Sequence, residues 1–382
     1  MTQRMVSLDA LRGLAVAGMI LANSPGSWTL RYHQLDHAAW NGFTATDMVF
    51  PTFLFSVGMA VALSFPRPLS DADKVRSWSR LIRRALSLIA LGLFLNFLAG
   101  LSLSHLRIPG ILQRIGLCYA LGTALVLLTV RRRNDGLAAI NRGAIGAGIL
   151  VLLIGYWALL SFVPVPGYGA GHLDPAGNLT AYLDRTIWTV PHLWPYGTDA
   201  TGAVVYDPEG LLSTLPATAN LLFGILAGAA WKQTPGRRTA WLIGGAGVVL
   251  IVAGLLLDPV FPINKRIWTS SFALLSSGVS AAMLALLTLV LENATARAVA
   301  MPLRVLGGNA TLAFVLSILL AIFSGYSILR GGTMTPQAWG LELAEKIIAA
   351  PMLASLACAI AILVLITALI WPLHKRAIHW RL

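Results

Sequence analysis

The sequence predicts an all-α, polytopic helical membrane protein with about ten transmembrane helices and both termini in the cytoplasm. Of its 382 residues 57% are hydrophobic and only 11% are charged, which leaves too little polar surface to solvate a soluble protein of this length. The apolar residues form long uninterrupted runs, which indicates helices and not the short alternating segments of a β-barrel.

Ten apolar runs are long enough to cross about 30 Å of hydrocarbon. They lie at about 8–24, 46–66, 80–99, 109–130, 144–163, 209–231, 239–257, 268–291, 305–325 and 347–371. The first run follows Arg4 like a signal peptide, but Asp9, Arg12 and the lack of a small-x-small cleavage site favour a retained helix. We expect one transmembrane domain, 1–382, with an outer insertion at about 164–208 that is long enough to form a lid.

The basic residues predict the orientation of these helices. The 28 Lys and Arg exceed the 15 Asp and Glu by 13. With the N-terminus in the cytoplasm, 20 of the 28 fall on the cytoplasmic side, seven fall outside, and Arg114 lies within the fourth run. Most of the basic excess is therefore topological, which excludes nucleic acid as the expected partner. Cys118 and Cys358 lie in apolar runs, so neither a disulfide nor a Cys metal site is expected.

The densest group of polar residues surrounds the connection between the first two runs. Asn23 closes the first run, His37 and Asn41 lie in the loop, and Asp47 opens the second. A neutral imidazole accepts a proton near neutral pH, and a nearby carboxylate fixes its tautomer, so His37 and Asp47 form a candidate catalytic pair. An ordinary helix N-cap explains Asp47 equally well.

Other polar residues form candidate substrate-binding clusters on the outer side. They are Arg107, Gln113 and Arg114 before and within the fourth run, Asp207 and Glu209 before the sixth, and Lys265 in a later loop. A charged group at membrane depth needs a partner or a water-filled cavity. Snorkelling to the surface explains Arg107 equally well, helix capping explains the two acids, and helix packing explains the later loop.

Motifs of other chemistries are missing from the sequence. It contains no Walker loop, no Gly-x-Ser-x-Gly and no His-Glu-x-x-His, and the seven histidines show no metal-ligand spacing. We therefore expect no metal.

Several ordered motifs resemble the heparan-α-glucosaminide N-acetyltransferase family of transmembrane acyltransferases. They are Ser-Leu-Asp-Ala-Leu-Arg-Gly at 7–13, Asp-His-Ala-Ala-Trp-Asn-Gly at 36–42, Thr-Asp-Met-Val-Phe-Pro-Thr-Phe-Leu-Phe at 46–55, Arg-Ile-Pro-Gly-Ile-Leu-Gln-Arg at 107–114 and Tyr-Asp-Pro-Glu-Gly at 206–210. The resemblance implies a homodimeric enzyme that takes acetyl-CoA from the cytosol and acetylates the amine of a glucosamine residue on the far side. It places the catalytic histidine at His37 and the active-site asparagine at Asn23.

The resemblance also implies a bacterial member in the inner membrane. We expect the N-terminal luminal domain of the lysosomal member to be missing, and a smaller amino sugar to be the acceptor. Acetyl-CoA is then a co-substrate whose phosphates need basic residues at the inner face. The candidates are Arg83, Arg84, Arg131, Arg132, Arg133, Arg237 and Arg238, with the amide of Asn309 near the inner end of the ninth run. The positive-inside rule explains the same cations without a ligand.

Two alternatives from other functional classes remain at this stage. A secondary transporter of a sugar or organic anion would use the same polar residues without chemistry. An O-acyltransferase of an envelope glycan would use the same donor. The sequence also leaves open the acceptor sugar, the acyl chain length, and whether His37 acts as a base or carries the acetyl group.

Overall fold

The structure, a computed structural model, describes residues 5–65, 71–132, 138–327 and 332–380. Most of these residues lie in helices and almost none in strands, which confirms the predicted fold class. The helices are α1 (Val6–Asn23), α2 (Val49–Ser64), α3 (Asp71–Gly100), α4 (Ile111–Thr129), α5 (Arg142–Phe162), α6 (Leu179–Ile187), α7 (Thr214–Gln233), α8 (Arg237–Leu257), α9 (Ser270–Val290), α10 (Ala294–Val299), α11 (Met301–Gly308), α12 (Ala310–Gly325), α13 (Pro336–Glu345) and α14 (Pro351–Lys375). Two short strands, β1 (Arg131–Arg132) and β2 (Ala138–Ala139), pair antiparallel with Arg131 opposite Ala139.

Nine helices of the described ranges are long and apolar enough to cross a membrane, or ten if α11 and α12 count as one bent span. The chain is therefore a multi-pass membrane protein, as predicted. Helix α3 begins at Asp71, well before the apolar run that starts at about 80. Its first turns are rich in charged residues, so hydropathy marks only the later, apolar part of a longer helix.

The ninth predicted span, 305–325, is wrong as a single straight helix. Helices α11 and α12 meet at 87°, and Asn309 between them has non-helical backbone angles of φ −130° and ψ 44°. The side chain of Asn309 accepts a hydrogen bond from the backbone N–H of Trp380 (2.7 Å) and donates one to the carbonyl of Ile378 (3.1 Å). Two apolar halves give one continuous hydropathy signal, so the bend is not visible in the composition.

The chain forms two compact units that alternate along the sequence. Unit 1 comprises Met1–Ala39, Phe43–Phe53 and Met283–Arg381, and unit 2 comprises Trp40–Gly42 and Leu54–Ala282. The core of unit 1 lies between α1, α11, α12 and α14, where Ile20, Val305 and Ile366 are fully buried. Gly13 on α1 lies directly against the α11 backbone, since a Cβ there would be 1.8 Å from the Leu303 carbonyl oxygen.

Unit 2 contains α3 to α8, most of α2 and part of α9, together with the insertion at about 164–208. The insertion folds into α6 and a short 3₁₀ helix, Val190–His192, over an apolar cluster that includes Tyr156 and Phe261. Trp40 donates from Nε1 to the carbonyl of Leu173 (2.9 Å), which ties the insertion to the loop after α1. The assignment of one domain and of a lid role both remain predictions.

Candidate functional site

The His37–Asp47 pair is the centre of the candidate site in unit 1. Asp47 lies in a 3₁₀ helix, Thr46–Met48, that leads directly into α2 and contacts α1. Its side chain is 1% exposed, and Nδ1 of His37 lies 2.6 Å from its Oδ1. The His37 side chain is 29% exposed, so the imidazole reaches the surface while its carboxylate partner is buried.

Asp47 also organises the loop that carries His37. Its Oδ2 accepts hydrogen bonds from the backbone N–H of Ala38 (3.1 Å) and from the N–H (2.9 Å) and hydroxyl (3.1 Å) of Thr44. These donors precede Asp47 in the chain, whereas an N-cap accepts from residues two or three positions later. The Oδ2 atom therefore binds the loop that carries His37. With a proton on Nδ1 facing the carboxylate, the imidazole presents Nε2 as its basic nitrogen.

Asn23 is the last residue of α1 and is partly buried. Its neighbour Ser24 has a buried hydroxyl without a hydrogen-bond partner among the described residues. The assignment of Asn23 as an active-site residue remains a prediction.

A second cluster of the predicted residues lies in unit 2, around Arg107. Arg107 makes a two-pronged contact with Asp207, from Nε to Oδ2 (2.8 Å) and from Nη2 to Oδ1 (2.7 Å), and Nη2 also contacts Glu209. Asp207 further accepts the backbone N–H of Trp194 (2.8 Å). The guanidinium of Arg107 lies 5.8 Å from the Trp194 ring. Three residues predicted from two separate clusters thus meet in one ion-pair network.

Arg114 lies in the same unit and is 1% exposed. Its Nη2 donates to the Gly210 carbonyl (3.0 Å) and to the Ser213 hydroxyl, and its guanidinium lies 5.0 Å from the Trp268 ring. Within the described ranges Nε and Nη1 of Arg114 have no hydrogen-bond partner. Trp268 is fully buried at φ 53°, a left-handed conformation that is rare for a bulky residue and concentrates at functional sites.

The remaining predicted substrate residues have different surroundings. Asn41 accepts a hydrogen bond from Nδ2 of Asn264 (3.1 Å), so it joins the loop that carries Lys265. Lys265 is 8% exposed. Gln113 donates from Nε2 to the Ile108 carbonyl (3.0 Å), which fastens the turn before α4.

Burial and opposing charges shift the pKa values of this cluster. Burial lowers the pKa of Arg107, but the carboxylates of Asp207 and Glu209 outweigh it and raise the pKa above its ordinary value. Burial raises the pKa of Glu209, but Arg107, Lys265 and Arg114 outweigh it and lower the pKa. Glu209 is therefore held as an anion by the neighbouring cations.

The predicted donor-binding residues lie mostly at the surface. Arg83, Arg237 and Arg238 are exposed, and Arg84 stacks 4.6 Å from the Tyr119 ring. Both ends of the Asn309 amide bind the chain near Trp380, as described above. Arg133 and the side chain of Arg132 lie outside the described residues. In the part of the chain that the structure describes, no group of three His, Cys, Asp or Glu could hold a metal ion.

Sequence reasoning missed several participants. Asp184 in α6 is fully buried, accepts the N–H of Leu211 (2.9 Å), and keeps Oδ2 without a partner among the described residues. Burial raises the pKa of Asp184 to about 7. Trp194 and Thr44 were also missed as partners, because only long-range or loop contacts reveal their roles.

Comparison with known proteins gives two kinds of match. Residues 4–161 match the family described as heparan-alpha-glucosaminide N-acetyltransferase, catalytic. The human heparan-alpha-glucosaminide N-acetyltransferase is 31% identical over 309 residues, covering 70% of this chain and 46% of the human protein. The mouse protein of the same name is 29% identical over 308 residues, with the same two shares.

The chain thus spans just under half the length of the relatives that it matches. The match of residues 4–161 includes both members of the His37–Asp47 pair together with Arg107, Gln113 and Arg114. The motifs that carried the resemblance in the sequence therefore fall largely in the region that the comparison identifies. On these matches the chain belongs to the heparan-α-glucosaminide N-acetyltransferase-like family.

Proposed function

We propose that this chain is a transmembrane N-acetyltransferase that moves the acetyl group of acetyl-CoA to the amine of a glucosamine-type sugar. The observation that carries the proposal is the 2.6 Å contact between Nδ1 of His37 and the buried carboxylate of Asp47. A base oriented by a buried carboxylate is the arrangement that acyl transfer to a weakly nucleophilic group requires. The names of the human and mouse relatives support the same chemistry.

His37 would act on the proton of the acceptor amine. An ammonium group has no lone pair, so it cannot attack a thioester until a base removes a proton. The ammonium first loses one proton to water. As the neutral amine forms the new C–N bond at the acetyl carbon, Nε2 of His37 takes a second proton from the same nitrogen. The C–S bond then breaks, and the proton passes from His37 to the departing CoA thiolate. Asp47 stabilises the imidazolium that exists between the two transfers.

The oxyanion of the tetrahedral intermediate needs hydrogen-bond donors. We assign this role to the side-chain amide of Asn23 or to a backbone N–H of the loop. An alternative route passes through an acetyl-imidazole on His37, which the amine then attacks. Incubation with radiolabelled acetyl-CoA without acceptor distinguishes the routes, since only the second leaves label on the protein.

Sidedness and assembly belong to the same proposal. We place the protein in a bacterial inner membrane as a homodimer, with the His37 loop on the periplasmic side and CoA supplied from the cytosol. The acceptor hydroxyls would bind near Asn41, Gln113 and the Arg107 network, which includes Asp207, Glu209, Arg114 and Lys265. The candidates for holding the CoA phosphates are the basic residues Arg83, Arg84, Arg237 and Arg238 of unit 2. Asn309 of unit 1 is a separate candidate for binding the donor.

The direct experiment measures thiol release from acetyl-CoA by purified protein with glucosamine. We expect His37→Ala to lower the turnover rate by about 10²-fold or more, the usual contribution of a general base. His33→Ala is the matched control, because His33 is an exposed histidine in the same loop. Its rate should stay at the wild-type level.

Other outcomes point to the alternative functions. A His37→Ala protein that keeps the full wild-type rate would show that His37 is not the catalytic base. A protein that accumulates sugar in vesicles without releasing thiol would be a transporter. A product that hydroxylamine cleaves would be an ester, as expected for an O-acyltransferase.

A further inference from the structure

Thr44 carries a buried hydroxyl group in the chain segment that connects His37 to Asp47. The residue is only 2% exposed. A buried hydroxyl needs hydrogen-bond partners, because an unpaired one loses its hydration without compensation. The partners of the Thr44 hydroxyl therefore indicate which parts of the loop it holds together.

The Thr44 hydroxyl contacts two acceptors on either side of the His37–Asp47 pair. Its Oγ1 lies 2.6 Å from the backbone carbonyl oxygen of Asp36, the residue directly before His37. The same Oγ1 lies 3.1 Å from Oδ2 of Asp47. A hydroxyl has a single hydrogen, so the two acceptors share it. The hydroxyl thus connects the backbone beside His37 to the carboxylate that orients the imidazole.

Thr46 offers a close comparison within the same loop. Its hydroxyl donates to the backbone carbonyl of Gln34 (3.1 Å), and the residue is 7% exposed. Thr46 therefore resembles Thr44 in its burial and in bonding a carbonyl across the loop. What distinguishes Thr44 is the second contact of its hydroxyl, with the Asp47 carboxylate.

The second contact affects both the position and the charge of Asp47. Oδ2 accepts the backbone N–H groups of Ala38 and Thr44 in addition to the hydroxyl. Each donor holds the carboxylate in place and stabilises its negative charge. A carboxylate that loses one of these donors attracts the protonated imidazole at Oδ1 more strongly, and it is also less firmly fixed.

We propose that Thr44 is a positioning residue that acts on His37 through Asp47, by fixing the carboxylate and stabilising its charge. The proposal rests on the proposed function, because the effect on turnover requires His37 to be the base. It adds a residue that is too buried to reach the substrate and that works only through its neighbour.

Thr44→Val tests the role of the hydroxyl, because it removes that group and nearly keeps the shape of the side chain. We expect kcat for acetyl transfer to fall about tenfold, since hydrogen bonds to charged groups are among the stronger ones, with little change in the KM for acetyl-CoA. The acid limb of the pH–rate profile should move to higher pH, because the carboxylate with one donor fewer stabilises the imidazolium more strongly. Thr44→Ser restores the hydroxyl and should return both quantities towards the wild-type values.

Thr46→Val is the matched control, since it removes a buried hydroxyl from the same loop without changing the contacts of Asp47. It should keep the wild-type kcat and acid limb even if its melting temperature falls as far as that of Thr44→Val. Equal losses of kcat in the two variants would overturn the proposal, as would an acid limb that stays in place or moves to lower pH in Thr44→Val. If Thr44→Val does not fold, Thr44→Ala replaces it with the same expectations.

A measurement without turnover separates this proposal from the proposed function. NMR of protein labelled with ¹⁵N-histidine follows the titration of the His37 imidazole, and His37→Ala identifies its signal. We expect the midpoint to rise in Thr44→Val. The other charged or titratable residues of the loop are the same in both proteins, namely Arg31, Tyr32, His33 and Asp36.

The two proposals can then fail independently. An unchanged midpoint in Thr44→Val would overturn the role of Thr44 even in a protein that transfers acetyl groups. A raised midpoint in a protein that transfers none would support the role of Thr44 in the pair and refute only the proposed function.

Discussion

At the scale of single residues, the proposed function depends on the contacts that the Asp47 carboxylate makes. Its carboxylate has four contacts with the loop before it, one to the imidazole of His37 and three to donors on Ala38 and Thr44. An isolated loop histidine would sample several rotamers and both tautomers. The buried carboxylate restricts it to one orientation, which leaves Nε2 as the basic nitrogen.

Replacing Asp47 tests this positioning role. Asp47→Asn keeps the shape of the side chain but removes the negative charge that stabilises the imidazolium. We expect turnover to fall by about 10²-fold, and the acid limb of the pH–rate profile to move to lower pH because the protonated ring loses its counter-charge. Asp36→Asn, a more exposed acid of the same loop, is the control. An unchanged profile in Asp47→Asn would argue against the pairing.

Asp184 is a buried acid that lies outside the membrane spans. Its protonation state affects how folding stability depends on pH. Its pKa is raised by burial to about 7, whereas an unfolded aspartate titrates near 3.8. Between these values the folded state holds a proton that the unfolded state has released. Folding stability therefore falls as the pH rises from about 4 to about 7.

Asp184→Asn should remove this part of the pH dependence. The variant stays neutral at every pH and keeps an oxygen for the N–H of Leu211. We expect its melting temperature to exceed that of the wild type at pH 8 by more than about 2 °C, with the difference vanishing near pH 4. Asp174→Asn, at an exposed acid of the same insertion, should not change the slope. If the melting temperatures of the wild type and Asp184→Asn change with pH in parallel, Asp184 does not have the raised pKa assigned to it.

At the scale of elements, close helix packing depends on glycines, which have no side chain beyond a hydrogen atom. In unit 1, Gly307 of α11 lies on α1 as Gly13 of α1 lies on α11, and a Cβ on either would approach a carbonyl oxygen of the other helix to 1.8 Å. Helices in a membrane gain little from hydrophobic burial, so such contacts between backbones contribute much of their association.

Gly13→Val should separate α1 from α11. The added side chain meets backbone atoms that cannot move aside, so we expect a loss of about 1–3 kcal/mol in unfolding free energy or a failure to fold. Thermal unfolding in detergent measures it. Gly155→Ala is the control, because that α5 glycine faces open space and alanine favours a helix. Equal stability of both variants would refute the packing argument.

At the scale of the whole molecule, the orientation in the membrane still rests on the distribution of basic residues. A single cysteine at Ala39, beside the His37 loop, should react with an impermeant maleimide added to intact spheroplasts. A cysteine at Pro235, between α7 and α8, should react only after the membrane is opened. Both substitutions need a background with Cys118 and Cys358 replaced by serine. The reverse labelling pattern would invert the assigned topology.

The sequence by itself determined the membrane class, the number and approximate position of the spans, and the short list of costly polar residues. These properties follow from composition and local runs, because transfer of a helix into lipid depends on its own side chains. The motifs around His37 and Asp47 also lie within one short stretch of chain, which is why they could be recognised without coordinates.

Only the tertiary structure decided what those residues contact. It placed the Asp47 carboxylate beside His37, brought Arg107 to carboxylates a hundred residues away, and bent the ninth span at Asn309. Hydropathy and local propensity describe each segment alone. Ion pairs, bends and cavities depend on distances between segments, and those distances exist only once the helices have packed.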